Sequence, residues 1–132
     1  KSDFTVDAYL RLLIPYVLSE AYHKAIYMDG DMIAMDDVAQ LMSVDVGGFL
    51  LAACRDTSGL GVYYDKNSNR KHYRDNVLKL DNPDDYFISG LLIMNLDEFR
   101  ENYTSEWLLE FAASRAWLQH DQDVLNEKQS PR

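Results

Sequence analysis

A chain of 132 residues that is 47% hydrophobic and 27% charged has the composition of one globular domain or a portion of one, which excludes a disordered segment. Its 22 acidic residues outweigh 13 basic ones, giving a formal charge of -9, so nucleic acid and simple docking on anionic lipid are excluded as expected partners. No apolar stretch approaches the ~20 residues of a transmembrane helix, no signal peptide is visible, and the lone cysteine, Cys54, cannot form an internal disulfide, so a reducing, cytoplasmic setting is expected.

Thr5 reads as a helix N-cap with Asp7 behind it, and apolar residues recur with helical period at Ala8, Leu12, Leu13, Tyr16 and Val17. Pro15 interrupts that helix or marks a join. Lys24 to Met28 reads as a short buried strand, since Ala25 to Met28 is continuously apolar. It ends at Asp29-Gly30-Asp31. Met32 to Met35 is expected to be extended again, and Asp36-Asp37 to open a short helix through Val38, Leu41 and Met42. Gly47-Gly48 breaks the chain before a strand from Phe49 to Cys54, in which Cys54 reads as a small buried hydrophobe.

Residues 56–86 are the least regular, with a helix expected from Asn69 to Leu80 and a turn at Asp81-Asn82-Pro83-Asp84. Phe87 to Leu96 is a strand with Gly90 inside it, where backbone or ligand can approach closely. Helices follow from Asp97 to Tyr103, from Ser105 to Leu118 behind a Thr104 cap, and from Asp121 to Lys128, with fraying beyond. Strands alternating with helices make the class α/β. Three strands are few for a sheet, so partner strands are expected outside residues 1–132, and apolar faces left for them predict self-association as a homo-oligomer.

The candidate chemistry lies in Asp29-Gly30-Asp31. Two acids at i and i+2 of an extended segment point to one side. Gly30 has no side chain, so a bulky ligand can approach the backbone there. Paired carboxylates suit a hard divalent cation, Mn²⁺ or Mg²⁺, which completes its shell with water or substrate phosphates. An EF-hand would need an oxygen ligand where Ile33 stands, and a haloacid dehalogenase phosphatase would not follow its acids with Met32 and Ile33.

Five blocks, in order, resemble bacterial family 8 glycosyltransferases. They are Tyr9-Leu10-Arg11-Leu12-Leu13-Ile14-Pro15, then Lys24 through Ile33, Leu51-Ala52-Ala53-Cys54-Arg55-Asp56, Tyr86 through Leu96, and His120-Asp121-Gln122-Asp123-Val124-Leu125-Asn126. The resemblance is weakest over 57–85. It implies a partial GT-A fold with three α/β/α layers, a UDP-glucose or UDP-galactose donor, a divalent metal, usually Mn²⁺, and transfer with retention to a saccharide acceptor such as a lipopolysaccharide core sugar.

By the same resemblance, Asp29 and Asp31 would hold the metal and the ribose-phosphate side of the donor. Arg11 corresponds to the arginine that reaches the donor phosphate or sugar. Asp56 would contact sugar hydroxyls, and Ile88 and Ser89 would lie against the donor. Asp121 and Gln122 would sit beneath the transferred sugar, with Gln122 nearest the reacting carbon. The family usually has Asn where this chain has Ile88, so one hydrogen bond to the sugar is lost and a catalytically inactive binding module becomes the alternative. The third metal ligand of the family is a histidine in a later motif. His23, His72 and His120 do not match it and read as structural or solvated. The chain is thus expected to be the central part of one domain, without the N-terminal nucleotide-binding strands and the C-terminal His motif, and to be peripheral to the inner membrane only through such regions.

Overall fold

The structure, a computed structural model, describes residues 6–57, 69–80, 82 and 85–129. The first helical segment is a 3-10 helix, Val6–Leu13, which passes into a short α-helix, α1 (Ile14–Val17). Pro15 stands in the first turn of α1, where its missing N–H leaves no hydrogen bond unmade, so it marks the join.

Three strands form one sheet among the described residues: β1 (Lys24–Met28), β2 (Leu51–Arg55) and β3 (Phe87–Asn95). The order is β1-β3-β2, and both pairings are antiparallel. Flanked on both edges, β3 buries Phe87, Ser89, Leu92, Ile93 and Met94. Its nearly continuous apolar run has this cause. β1 pairs in unbroken register from Lys24 opposite Asn95 to Met28 opposite Leu91. β2 starts in register, Leu51 opposite Met94, and slips between Ala53 and Arg55, after which Arg55 faces Phe87.

Several expectations are corrected. β1 is half-buried along its whole length and not buried, because it is an edge of the described sheet. Met32 to Met35 is not a strand, because Met32 donates its N–H to the Asp29 carbonyl at 3.1 Å and turns the chain; Met32, Ile33 and Met35 are exposed. β2 begins at Leu51, since Phe49 closes a turn by donating its N–H to Val46. Cys54 is exposed, because it lies at the slip on a strand that is an edge of the described sheet. Between the first two strands, Asp37 caps a 3-10 helix, Val38–Ser43, accepting the Ala39 N–H at 2.9 Å.

The middle helix is α2 (Asn69–Tyr73), continued by a π-helical turn, Arg74–Leu78, and stopped by Lys79 in the left-handed region at φ 53. Thr5, Asp81, Pro83 and Asp84 lie outside the described residues. Asn95 caps α3 (Leu96–Asn102), and Thr104 caps α4 (Ser105–Ala113). The latter stops five residues short of the expected Leu118, where Ser114 turns back on Phe111 and the Trp117 indole donates to the Ala112 carbonyl at 2.7 Å. The last helix, α5 (Asp121–Gln129), packs on β3 and on the 3-10 helix Val6–Leu13. Leu12, Leu92, Met94, Leu96, Phe99, Leu108 and Val124 share one core between these elements. Each such side chain stabilises the fold by about 1.5–3 kcal/mol.

Candidate active site

Arg11 leaves the 3-10 helix beside β1 and β3 and gathers groups distant in sequence. Its Nη2 pairs with Asp29 Oδ1 at 3.1 Å and its Nε with Asp121 Oδ2 at 3.1 Å. Nη1 donates to the Ser89 carbonyl at 2.8 Å and to its hydroxyl at 3.3 Å. The guanidinium also lies over the Tyr27 ring, 4.5 Å from its centroid. Nη1 is thus hydrogen-bonded within the protein, while Nε and Nη2 approach carboxylates as ion pairs, the Nε contact without hydrogen-bond alignment.

Asp29 is held by the same hub. Tyr27 donates its hydroxyl to Asp29 Oδ1 at 2.7 Å. The Asp29 N–H extends the β1–β3 ladder by one bond, to the Gly90 carbonyl at 2.8 Å. A Cβ at Gly90 would come within 2.9 Å of Asp29 Oδ2, so the close approach expected at this glycine is that of a carboxylate. Oδ2 accepts no hydrogen bond from the described residues. Burial pushes the Asp121 carboxyl above its ordinary range, opposed by Arg11 and the Ser89 hydroxyl and aided by the charge on Asp29. Two carboxylates around one guanidinium leave the hub with a net negative charge.

Gly30 and Asp31 are exposed in the turn that Met32 closes, with nothing near the missing Cβ of Gly30. The alternation of an extended strand therefore does not align Asp29 with Asp31. The turn sets their relation. Among the described residues no group of three His, Cys, Asp or Glu side chains is placed to hold a metal. His23 pairs with Asp97 at 2.8 Å, His72 meets Asn76, and His120 lies 3.4 Å from the Tyr9 hydroxyl.

Ser89 links this hub to a cavity. Its N–H donates to Gln122 Oε1 at 3.1 Å. Gln122 in turn lines a space of about 250 Å³ with Asp56, Tyr73, Arg74, Tyr86 and Ile88, closed by Leu118, Gln119 and Asp123. The slip in β2 carries Asp56 there, with its N–H on the Tyr86 carbonyl at 2.9 Å. Asp56 is buried and pairs with Arg74 at 3.1 Å. Tyr86 donates to Asp123 Oδ1 at 2.6 Å, and Tyr73 donates to Oδ2 at 2.9 Å. Burial, reinforced by the Asp123 charge, pushes the Tyr73 phenol up to about 12 and raises that of Tyr86 further, so both remain donors. The Asn126 side chain accepts the Phe87 N–H at 2.9 Å and donates to its carbonyl at 2.9 Å, which locks α5 onto β3.

The residues singled out from sequence thus fall into one hub (Arg11, Asp29, Ser89, Asp121), one cavity (Asp56, Ile88, Gln122) and one exposed turn (Gly30, Asp31). Tyr27, Tyr73, Arg74, Tyr86 and Asp123 complete the arrangement and were not singled out. Asp123 reads in sequence as one of several acids at a helix start. Arg74 reads as one of several basic residues in a polar stretch.

The sequence model of glycosyl transferase family 8 matches residues 1–128. General stress protein A of Bacillus subtilis (strain 168) is 26% identical over 130 residues, covering 95% of this chain and 41% of that protein. The apo structure of the WbbM bifunctional glycosyltransferase superposes with a TM-score of 0.83 at 26% identity, over 98% of this chain and 24% of that one. The galactosyltransferase LgtC, solved in complex with donor and acceptor sugar analogs, gives a TM-score of 0.69 at 25% identity, over 96% of this chain and 42% of that one. This chain therefore spans less than half the length of each. The superpositions bear out the α/β fold of GT-A type.

Proposed function

The chain belongs to glycosyl transferase family 8, and we propose that it is the central, donor-gripping part of a hexosyltransferase that moves glucose or galactose from UDP to a saccharide acceptor with retention. The observation that carries this reading is the hub, in which one guanidinium ties the carboxylate that follows β1 to the carboxylate that opens α5. A donor needs these two ends in one place, its diphosphate at the first and its reacting sugar at the second.

In this reading Asp29 and Asp31 would hold Mn²⁺ or Mg²⁺. The donor set fits, because Asp29 Oδ1 is occupied by Tyr27 and Arg11 while Oδ2 is left to a cation, and the hub carries net negative charge. Such an ion, when bound with the donor phosphates, supplies charge neutralisation to the departing diphosphate. Gly30 leaves the exposed turn open to the donor. Arg11 fixes Asp29 and Asp121 as one rigid unit at the junction of phosphate and sugar. Asp56, Ile88 and Ser89 flank the sugar.

Gln122 is a neutral amide and a poor nucleophile, so a same-face displacement is favoured. The bond from the anomeric carbon to the phosphate oxygen breaks, the acceptor oxygen forms its bond on the same face, and its proton passes to the departing phosphate. The Gln122 carbonyl and Asp121 stabilise the positive charge that develops on the ring. The acceptor belongs to a lipopolysaccharide core or another bacterial surface glycan. A cytoplasmic setting agrees with the unpaired thiol of Cys54, and among the described residues no helix is long and apolar enough to cross a membrane.

The test is transfer by the full-length protein that carries this chain, with UDP-glucose or UDP-galactose and Mn²⁺. Chelation, Asp29→Asn and Asp31→Asn should each lower turnover by about 100-fold or more, while the 132 residues alone should turn over little or not at all. Full activity in chelator and in both variants contradicts the proposal. Ile88 in the cavity wall favours one second reading, a catalytically inactive binding module. Activity in the parent without an Ile88→Asn change would eliminate it.

A further inference from the structure

We infer that Arg74 is a positioning residue for the sugar end of the donor, acting through Asp56; this rests on the reading of the cavity as the sugar subsite. Arg74 and Asp56 are 6% and 8% exposed and pair at 3.1 Å against the cavity. A buried ion pair is a poor source of stability, because removing both charges from water offsets their attraction. An apolar pair would fill the same space. Keeping the charges gives the cavity a carboxylate that can accept hydrogen bonds from sugar hydroxyls.

Three constraints fix the arginine. Its guanidinium lies 3.8 Å from the Tyr86 ring centroid. Tyr86 is itself anchored by the 2.6 Å bond to Asp123. The residue also stands where α2 gives way to the π-helical turn, an irregularity that concentrates at functional sites. Asp56 stands at the end of a slipped edge strand, with its N–H on the Tyr86 carbonyl at 2.9 Å. Arg74 Nη2 meets Asp56 Oδ2 at 3.1 Å while the flat guanidinium lies on the Tyr86 ring, a combination that a lysine point charge does not reproduce.

The experiment compares affinities for UDP and for UDP-glucose or UDP-galactose in the full-length protein by titration calorimetry. Arg74→Gln should weaken the UDP-sugar by about tenfold and leave UDP within about twofold. Asp56→Asn should do the same. The double variant should be no weaker than the worse single one, as expected of residues acting through one contact. Arg74→Lys should fall between, and it carries the same comparison if Arg74→Gln does not fold. Equal losses for UDP and UDP-sugar, no loss for the UDP-sugar, or losses that multiply in the double variant would each overturn the assignment while leaving the family reading intact. A parent protein that binds no UDP overturns both.

Discussion

At the scale of single residues, the site is governed by close approach and by charge taken from water. Gly90 shows the first. Alanine there fits the backbone but meets Asp29 Oδ2 at 2.9 Å, so the carboxylate must swing away. Gly90→Ala should therefore cost about 1 kcal/mol of stability in thermal denaturation, and weaken Mn²⁺ binding by about tenfold. Unchanged Mn²⁺ affinity would remove Asp29 from the metal site. Tyr73 shows the second. Its phenol ionises near 10 in an unfolded chain and at about 12 in the fold. A raised folded pKa means that the stabilisation is complete below the unfolded value and is lost as pH rises through the folded one. Urea midpoints should thus fall between pH 10 and 12 more steeply in the wild type than in Tyr73→Phe. Parallel curves would contradict the assigned cause.

At the scale of elements, the site depends on how α5 is seated on β3. The Asn126 amide satisfies both backbone groups of Phe87, 39 residues away. Its replacement by alanine leaves a buried N–H and a buried carbonyl unpaired, at a cost of about 2–4 kcal/mol. Equilibrium unfolding in urea checks this, and a loss under about 1 kcal/mol would mean that water replaces the amide.

Elements also differ in how legible they were. β3 was readable because its apolar run buries both faces, and β1, half-buried throughout, because Ala25 to Met28 is continuously apolar. Met32 to Met35 shows the same composition and yet is exposed, because a backbone hydrogen bond local to Asp29 turns the chain. Helical periodicity placed the first segment without distinguishing 3-10 from α geometry, which differ by one residue in hydrogen-bond span. The hub residues were legible through their family blocks. The pairing of Arg74 with Asp56 was not, since it bridges 18 residues across the stretch where the resemblance is weakest.

At the scale of the whole molecule, the proposed function requires that residues 11, 29, 89, 121 and 122 form a single donor site. Four segments contribute to it, the 3-10 helix, the end of β1, β3 and the start of α5. The other acidic groups, at Asp36-Asp37 and at Asp97-Glu98, have local roles instead. Asp37 caps a helix, and Asp97 pairs with His23 and Arg100. Paramagnetic broadening of amide resonances by Mn²⁺, in the full-length protein with UDP bound, separates these possibilities most directly. The account predicts broadening centred on Gly30 and Asp31 that extends to Ser89, Gly90 and the Gln122 side chain. Broadening centred on residues 36–37 or 97–98, with Ser89 and Gln122 unaffected, would contradict it.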